Sequence, residues 1–455
     1  MFRQVAAARD RSAHFIIGDD GRNFTYGEFW ALAGRLAAGL VASGAKPGDR
    51  IALQVEKSVE AVALFYACVR AGLIFLPLNT AYTPSEISYF LGDAEPHLFI
   101  KSQEQLAALA QGGEFTDAHT DANTICAILY TSGTTGKSKG AMLSQGNLFS
   151  NAEALVKAWH FTSADKLIHA LPVYHTHGLF VATNTMFLSG GQMFFRRKFY
   201  AGDVIKLIPQ ATALMGVPTF YTRLLQHDAL TRDLCAKMRL FVSGSAPLLA
   251  ETHRTFETRT GHAILERYGM TETNMNTSNP YDGARKPGTV GKALPGIDVR
   301  VREGMIEVKG PNVTRGYWRN DEKTRASFTD DGYFITGDLG HFDEDGYVVI
   351  SGRGSDLIIT GGFNVYPKEI EEKIDALPGV VESAVIGLPH PDFGEAVTAV
   401  VVAEKGASLD TASMIATLRE TLAAFKVPKT IHFADELPRN TMGKVQKKVL
   451  RETYR

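Results

Sequence analysis

Residues 130–140 read YTSGTTGKSKG. Thr131, Ser132, Thr134, Thr135 and Ser138 bring hydroxyls, and Lys137 and Lys139 bring positive charge. Gly133, Gly136 and Gly140 allow backbone amides to turn inward. Amides, hydroxyls and ammonium groups in one tight loop make a cradle for polyphosphate. The loop is not a Walker A sequence, which requires a glycine five positions before the glycine of Gly-Lys-Ser. Here that position is Thr131. Clusters of Ser, Thr and Gly are also ordinary turns, so composition alone leaves a surface loop open.

Other stretches carry charge in compact settings. They are ERYGMTET (266–273), TGDLG (336–340), GRGSDLIITGGFNVYPKEIE (352–371) and PRNTMGKVQK (438–447). The stretch YHTHG places His175 and His177 two apart. No Cys or Asp/Glu cluster accompanies them, so a metal-site reading is weak beside that of a hydrogen-bonded core histidine.

The elements that must position these residues alternate. Thr25 followed by Glu28 is a capping box for a helix that ends near Gly-Ala-Lys-Pro-Gly at 44–48. RIALQV is a strand, SVEAVALFYACVRAG a helix and LIFLPLN a strand, which predicts a parallel α/β sheet. The same rhythm returns at DKLIHALPVYH, ATALMGVPTFYTRLLQ and MRLFVSGSAPLLAETHRTFETRTG. From about Gly291, glycine-rich turns separate short strands, which predicts hairpins. After Arg353 comes a compact α+β segment with Pro367 at the first position of a helix.

The expected architecture is α/β: a large N-terminal domain of α/β sheets with a small β-barrel-like region, and a small mobile α+β C-terminal domain. We place the boundary near Arg353–Ser355, giving domains 1–353 and 354–455. A chain of 455 residues is too long for one core. Its 48 basic and 49 acidic residues leave no surplus for nucleic acid or an anionic membrane. The three cysteines, Cys68, Cys126 and Cys235, form no Cys-x-x-Cys pair and are expected to be core thiols. The N-terminal stretch shows no signal-peptide pattern and no apolar run is long enough to span a membrane, so a cytoplasmic location is expected.

The five motifs, in this order, resemble those of the acyl-adenylating superfamily: acyl-CoA synthetases, luciferases and adenylation domains of peptide synthetases. LPVYHTHGLF, MGVPTFYTRLL and YGMTETNMNTSNPYDG resemble malonyl-CoA synthetases more particularly. The resemblance covers nearly the whole chain. It implies an ATP-dependent ligase that joins malonate, and also methylmalonate, to coenzyme A through an acyl-AMP, releasing AMP and pyrophosphate. A coenzyme A ligase for another small acid and a free-standing amino-acid adenylation domain are the alternatives. The implied cofactors are ATP, Mg²⁺ and coenzyme A, and the implied partners are small molecules only.

The resemblance also assigns roles. Thr131, Ser132, Gly133, Thr134, Thr135, Gly136 and Lys137 would hold the β- and γ-phosphates. Lys444 would bridge the substrate carboxylate and the α-phosphate, as a point charge on a long stem can. Glu272 would bind Mg²⁺ through oxygen and Thr271 would donate to the α-phosphate. Tyr268 would stack on adenine, in a pocket lined by Ser245, Ala246 and Pro247. Asp338 would accept both ribose hydroxyls, with Arg353 on the same ribose. His175 would sit at the gate between acyl site and thiol tunnel, and Gly361 and Gly362 would admit pantetheine close to the backbone. Arg223 would capture the second carboxylate from a buried position, with Ser243 adding a hydroxyl and Thr176 and Met275 shaping the space at C2. Arg285 and Lys286 are runner-up carboxylate binders. Against the family pattern, Ser355 stands at the hinge position, Gln145 where histidine is frequent, and the stretch 95–126 is short.

Overall fold

The structure is a computed structural model that describes residues 1–131, 138–361, 363–440 and 443–455. Six residues of the phosphate-loop assignment, Ser132, Gly133, Thr134, Thr135, Gly136 and Lys137, lie outside the described residues, as does Gly362. The chain forms two compact units: Met1–Val299 with Val308–Phe334, and Arg300–Glu307 with Ile335–Arg455.

The first unit holds two sheets. In the nine-stranded one, the strands Leu265–Met270, Leu240–Ser243, Ala213–Gly216, Lys166–His169, Gln192–Phe195 and His14–Gly18 lie side by side and pair in parallel. Ala213–Gly216 and Leu240–Ser243 are buried along their whole length, as parallel strands covered on both faces must be. The five-stranded sheet runs Leu98–Ile100, Arg50–Leu53, Ile74–Pro77, Ile125–Thr131, Lys139–Ser144. Its last two strands are antiparallel, with Thr131 opposite Lys139. The opening loop therefore closes a hairpin, whereas a Walker A loop leads from a strand into a helix.

Local signals place the helices as expected. Thr25 and Glu28 form both halves of a capping box on the helix Tyr26–Ala42. Gly72, at φ +70°, ends the helix Val59–Ala71. All three cysteines are buried free thiols. No helix among the described residues is long and apolar enough to cross a membrane.

The second unit carries most of a four-stranded sheet, Asp298–Arg302, Met305–Lys309, Phe334–Phe342 and Val348–Arg353. This is the region expected to be barrel-like. Beyond it, the strands Val380–His390 and Gly394–Ala403 form a long antiparallel pair. The helix Pro367–Asp375, with its proline in the first turn, and the helix Thr411–Thr421 cover a core of Ile370, Ile374, Val385, Val397, Val401, Met414 and Leu418.

Asp375 closes the first of these helices, and its Oδ1 is buried without a hydrogen-bond partner. Burial pushes its carboxyl up to about 7, and the nearby Glu371 and Glu382 push the same way. A carboxyl raised in the folded state contributes stability that is complete below its ordinary range and is lost as pH rises through about 7. Asp375→Asn keeps the neutral shape at every pH. Its melting temperature relative to the parent chain is therefore expected to increase between about pH 5 and about pH 8; an unchanging difference across that range would contradict the assignment.

Candidate active site

Two hairpins and one irregular helix build the candidate site in the first unit. The strand Leu265–Met270 turns back into Asn274–Ser278. Gly269 is required at this turn: a Cβ there would lie 1.7 Å from the carbonyl oxygen of Asn274. The tight return brings Thr271, Glu272 and Met275 close together in space. Met275 and Tyr268 are buried and Thr271 is half-buried.

Glu272 is 5% exposed. Its Oε1 accepts from the Tyr317 hydroxyl at 3.0 Å and from the Thr131 hydroxyl at 3.4 Å. Thr131, the last residue of its strand and the first of those assigned to phosphate, thus reaches the carboxylate assigned to the metal. Among the described residues no group of three or more His, Cys, Asp or Glu side chains could hold a metal. A single carboxylate is nevertheless what Mg²⁺ takes when substrate phosphates supply its other ligands, so Glu272 fits that role. Tyr317 has no counterpart in the sequence reading. Its signal was only its place in TRGYW, far along the chain from Glu272.

The histidine segment is a π-helical turn, His177–Ala182, continued by the helix Thr183–Ser189. Such turns recur at functional sites. Its Gly178 carbonyl lies within hydrogen-bond reach of the Thr183 hydroxyl and of His169 Nε2, both at 2.9 Å. Lys57 Nζ lies 2.8 Å from His169 Nδ1 and donates to the carbonyls of His169 and Leu171. The turn is therefore anchored from below by a buried relay. Above it, the backbone N–H of His177 donates to His175 Nδ1 at 3.2 Å. The Thr176 hydroxyl donates to Asn274 Oδ1 at 2.7 Å, so Thr176 lies beside the residue that precedes Met275.

Arg223 departs from expectation. The helix Pro218–Leu225 buries Phe220, Tyr221 and Leu224, and Arg223 lies outside that stripe, exposed in the last turn. The deep guanidinium belongs to Arg267, 3% exposed on the strand Leu265–Met270. Arg285, the runner-up, commits its donors to the carbonyls of Ala263, Pro280 and Tyr281.

Arg267 lies against Gly244, where an added Cβ would meet its Cζ at 2.4 Å. Its Nε and Nη2 have no hydrogen-bond partner, and neither do Ser243 Oγ and His177 Nε2. No carboxylate pairs with Arg267 among the described residues. Burial pulls the guanidinium down to about 9, still charged at neutral pH. Burial, and next to it the charge of Arg267, pull His177 well below its ordinary range, so the imidazole is neutral. His177 Nδ1 is 3.2 Å from the Ser245 hydroxyl. Ser245 holds φ +71° at the sharp turn after Gly244, with Ala246 half-buried and Pro247 exposed. The result is a buried cation with idle donors beside a hydroxyl and a neutral imidazole, a set suited to an anionic ligand.

The second unit brings two assigned residues together. Asp338 and Arg353 face each other across the hairpin, and Arg353 Nε is 2.8 Å from Asp338 Oδ1. Gly361 has φ +57° and open space where a Cβ would sit. Glycine there serves the left-handed turn. Lys444 is exposed, on the hairpin that joins Arg439 to Val445.

Residues 1–318 match the family model for AMP-binding enzymes, and residues 369–444 match that for the AMP-binding enzyme C-terminal domain. The chain belongs to the AMP-binding enzyme family. It is 34% identical to a malonate–CoA ligase of Arabidopsis thaliana, over 99% of this chain and 88% of the relative. It is 33% identical to the mitochondrial malonate–CoA ligase ACSF3 of Mus musculus, over 90% of this chain and 83% of the relative. The crystal structure of ATP-bound MatB from Rhodopseudomonas palustris superposes with a TM-score of 0.97 at 56% identity, covering 100% of this chain and 98% of that one.

Gly244→Ala forces a methyl into the Arg267 guanidinium. The expected result is a KM for the acid substrate raised about tenfold or more, equivalent to about 1.4 kcal/mol of binding. KM for ATP should stay within about twofold. Equal loss for both substrates would show that the two residues do not act on the acid.

Proposed function

We propose that the chain activates malonate as malonyl-AMP and transfers the acyl group to coenzyme A. The observation that carries the choice of acid is the buried Arg267 guanidinium, idle on two nitrogens beside Ser243 and His177. An unpaired buried charge is costly unless an anion reaches it. A dicarboxylate brings one carboxylate to be activated and a second to fill this place. The family match and the malonate-activating relatives support the same reading.

In the first half-reaction a carboxylate oxygen attacks the α-phosphorus of ATP, and the bond to pyrophosphate breaks. Two anions approach each other, so positioning and electrostatic stabilisation must supply most of the rate. Thr131 through Lys137 would hold the departing pyrophosphate, and Thr271 would donate to the α-phosphate. Lys444 would lie against both the attacking carboxylate and the phosphorus. Glu272 would hold Mg²⁺, which when bound offsets charge on the phosphates. Asp338 and Arg353 would hold the ribose, and Tyr268 with Ser245, Ala246 and Pro247 the adenine. In the second half-reaction the thiolate attacks the acyl carbon and AMP leaves, with His175 at the gate and Gly361 and Gly362 along the pantetheine. Residues 354–455 would act as the mobile part, turning at Ser355. Thr176 and Met275 would set the tolerance for a C2 substituent, and so for methylmalonate.

Arg223 remains a candidate from its exposed place in the last turn of its helix. An exposed ion pair contributes little in water, so Arg223 would matter only where bound acid covers it. We also propose that the protein works in the cytoplasm.

The test is thioester formation with ATP, Mg²⁺ and coenzyme A across malonate, methylmalonate, succinate, acetate, butyrate and an amino acid. Malonate is expected to lead, with AMP and pyrophosphate as products; ADP, or a lead by acetate or the amino acid, would overturn the reading. Arg267→Met should cost malonate a factor of about 100 or more in kcat/KM, close to 2.7 kcal/mol. Acetate should change by less than about threefold. Lys444→Ala should remove about 2.7–4 kcal/mol of transition-state stabilisation from adenylation. It should spare thioester formation from supplied malonyl-AMP, and equal loss of both half-reactions would sink that role.

A further inference from the structure

The side chain of Lys444 is exposed, yet its backbone is held on both sides. The N–H of Asn440 donates to the Lys444 carbonyl at 2.9 Å, and Asn440 Oδ1 accepts from the Lys444 N–H at 3.0 Å. Gln446 donates its N–H to the Pro438 carbonyl at 2.8 Å, closing the hairpin below. Gly443 supplies the left-handed turn, with φ +75°.

Besides Lys444, a cation flanks each end of this hairpin, Arg439 on its first arm and Lys447 at the start of the helix Lys447–Thr453 that follows its second, and each meets an acid of the same unit. On the first arm, the Arg439 guanidinium pairs with the Glu382 carboxylate and also donates to the Gly443 carbonyl at 2.5 Å. Just beyond the second, Lys447 Nζ lies 2.6 Å from Glu371 Oε1. That same oxygen accepts the backbone N–H of Val385 at 2.8 Å, so it cannot swing away without releasing a strand amide. Glu371 belongs to the helix Pro367–Asp375 and Glu382 to the strand Val380–His390. The four side chains are 17–31% exposed, so solvent and salt weaken these pairs less than surface ones.

We propose that Glu382 and Glu371 are positioning residues for Lys444, acting through Arg439 and Lys447 to clamp both ends of the hairpin that presents it. Nothing in this arrangement touches substrate. It fixes where the base of a flexible four-carbon stem starts, and so how often the ammonium reaches a geometry that tolerates little displacement. The inference rests on the reading of Lys444 as the adenylation lysine.

The experiment compares Glu382→Gln, Arg439→Met, Glu371→Gln and Lys447→Met in two assays, with Lys444→Ala alongside. One assay is pyrophosphate release on adenylation, and the other is thioester formation from supplied malonyl-AMP. Each clamp variant is expected to lower adenylation kcat about tenfold, with KM for ATP and malonate within about twofold and the second assay unchanged. Lys447→Arg, and the exchanged pair Glu382→Arg with Arg439→Glu, are expected to recover most of the loss. These recoveries keep the test decisive if a single variant folds poorly. If Lys444→Ala abolishes adenylation while all four variants adenylate normally, or lose both assays in parallel, the clamp is overturned. If Lys444→Ala itself adenylates normally, the reading of Lys444 falls, and the clamp with it.

Discussion

A guanidinium without a carboxylate, sealed beneath a turn, is the constraint around which the first unit is arranged. Keeping Arg267 buried and charged costs several kcal/mol unless an anion arrives. The surrounding residues are chosen to tolerate that cost rather than remove it. Gly244 has no side chain because the guanidinium occupies the space. His177 stays neutral because it is buried and, next to that, because Arg267 beside it is already charged. Tyr221, also buried, donates its hydroxyl hydrogen bond to the Val242 carbonyl. An acid with one carboxylate leaves the idle donors idle. Discrimination by an unsatisfied buried polar group is far steeper than discrimination by size.

The other acidic and basic side chains are handled in the opposite way. Glu272 is held by the hydroxyls of Tyr317 and Thr131, and Asp338 is held by Arg353. These groups are preorganised, so little reorganisation remains for the moment of reaction. The strands Ile125–Thr131 and Lys139–Ser144 are tied to each other by a ladder of cross-strand pairs, which holds Thr131 in place beside Glu272.

What could be read from the sequence was what is local. The capping box at Thr25, the proline-led helix at 367 and the parallel strands of the first unit depend on near neighbours and on buried runs. The motifs too were visible, and of their residues Thr131 meets Glu272, Thr176 meets Asn274 and Ser245 meets His177. Depth was not legible. Arg223 lies in an amphipathic helix whose spacing puts it outside the apolar stripe of Phe220, Tyr221 and Leu224. Arg267 lies in a strand buried on both faces, where alternation carries no inside and outside. Adjacent strand residues point to opposite faces, so Glu266 meets His253 on one and Arg267 meets Gly244 on the other. Only tertiary neighbours distinguish two such charges. Tyr317 was invisible for a similar reason: its partner lies 45 positions away.

The contrast between Arg267 and Lys444 shows two solutions to placing a cation. Arg267 is fixed by packing, so its position is settled before any ligand binds, and the fold carries the strain of an unpaired charge. Lys444 is exposed, which removes that strain but places its ammonium at the end of a long, flexible stem. Packing cannot order an exposed side chain, so order must come from the backbone. A hairpin tied at Asn440, Gly443 and Gln446 and flanked by paired charges supplies it. A charge needed throughout binding can be buried. A charge needed for one step is better kept in water, on a base that does not move.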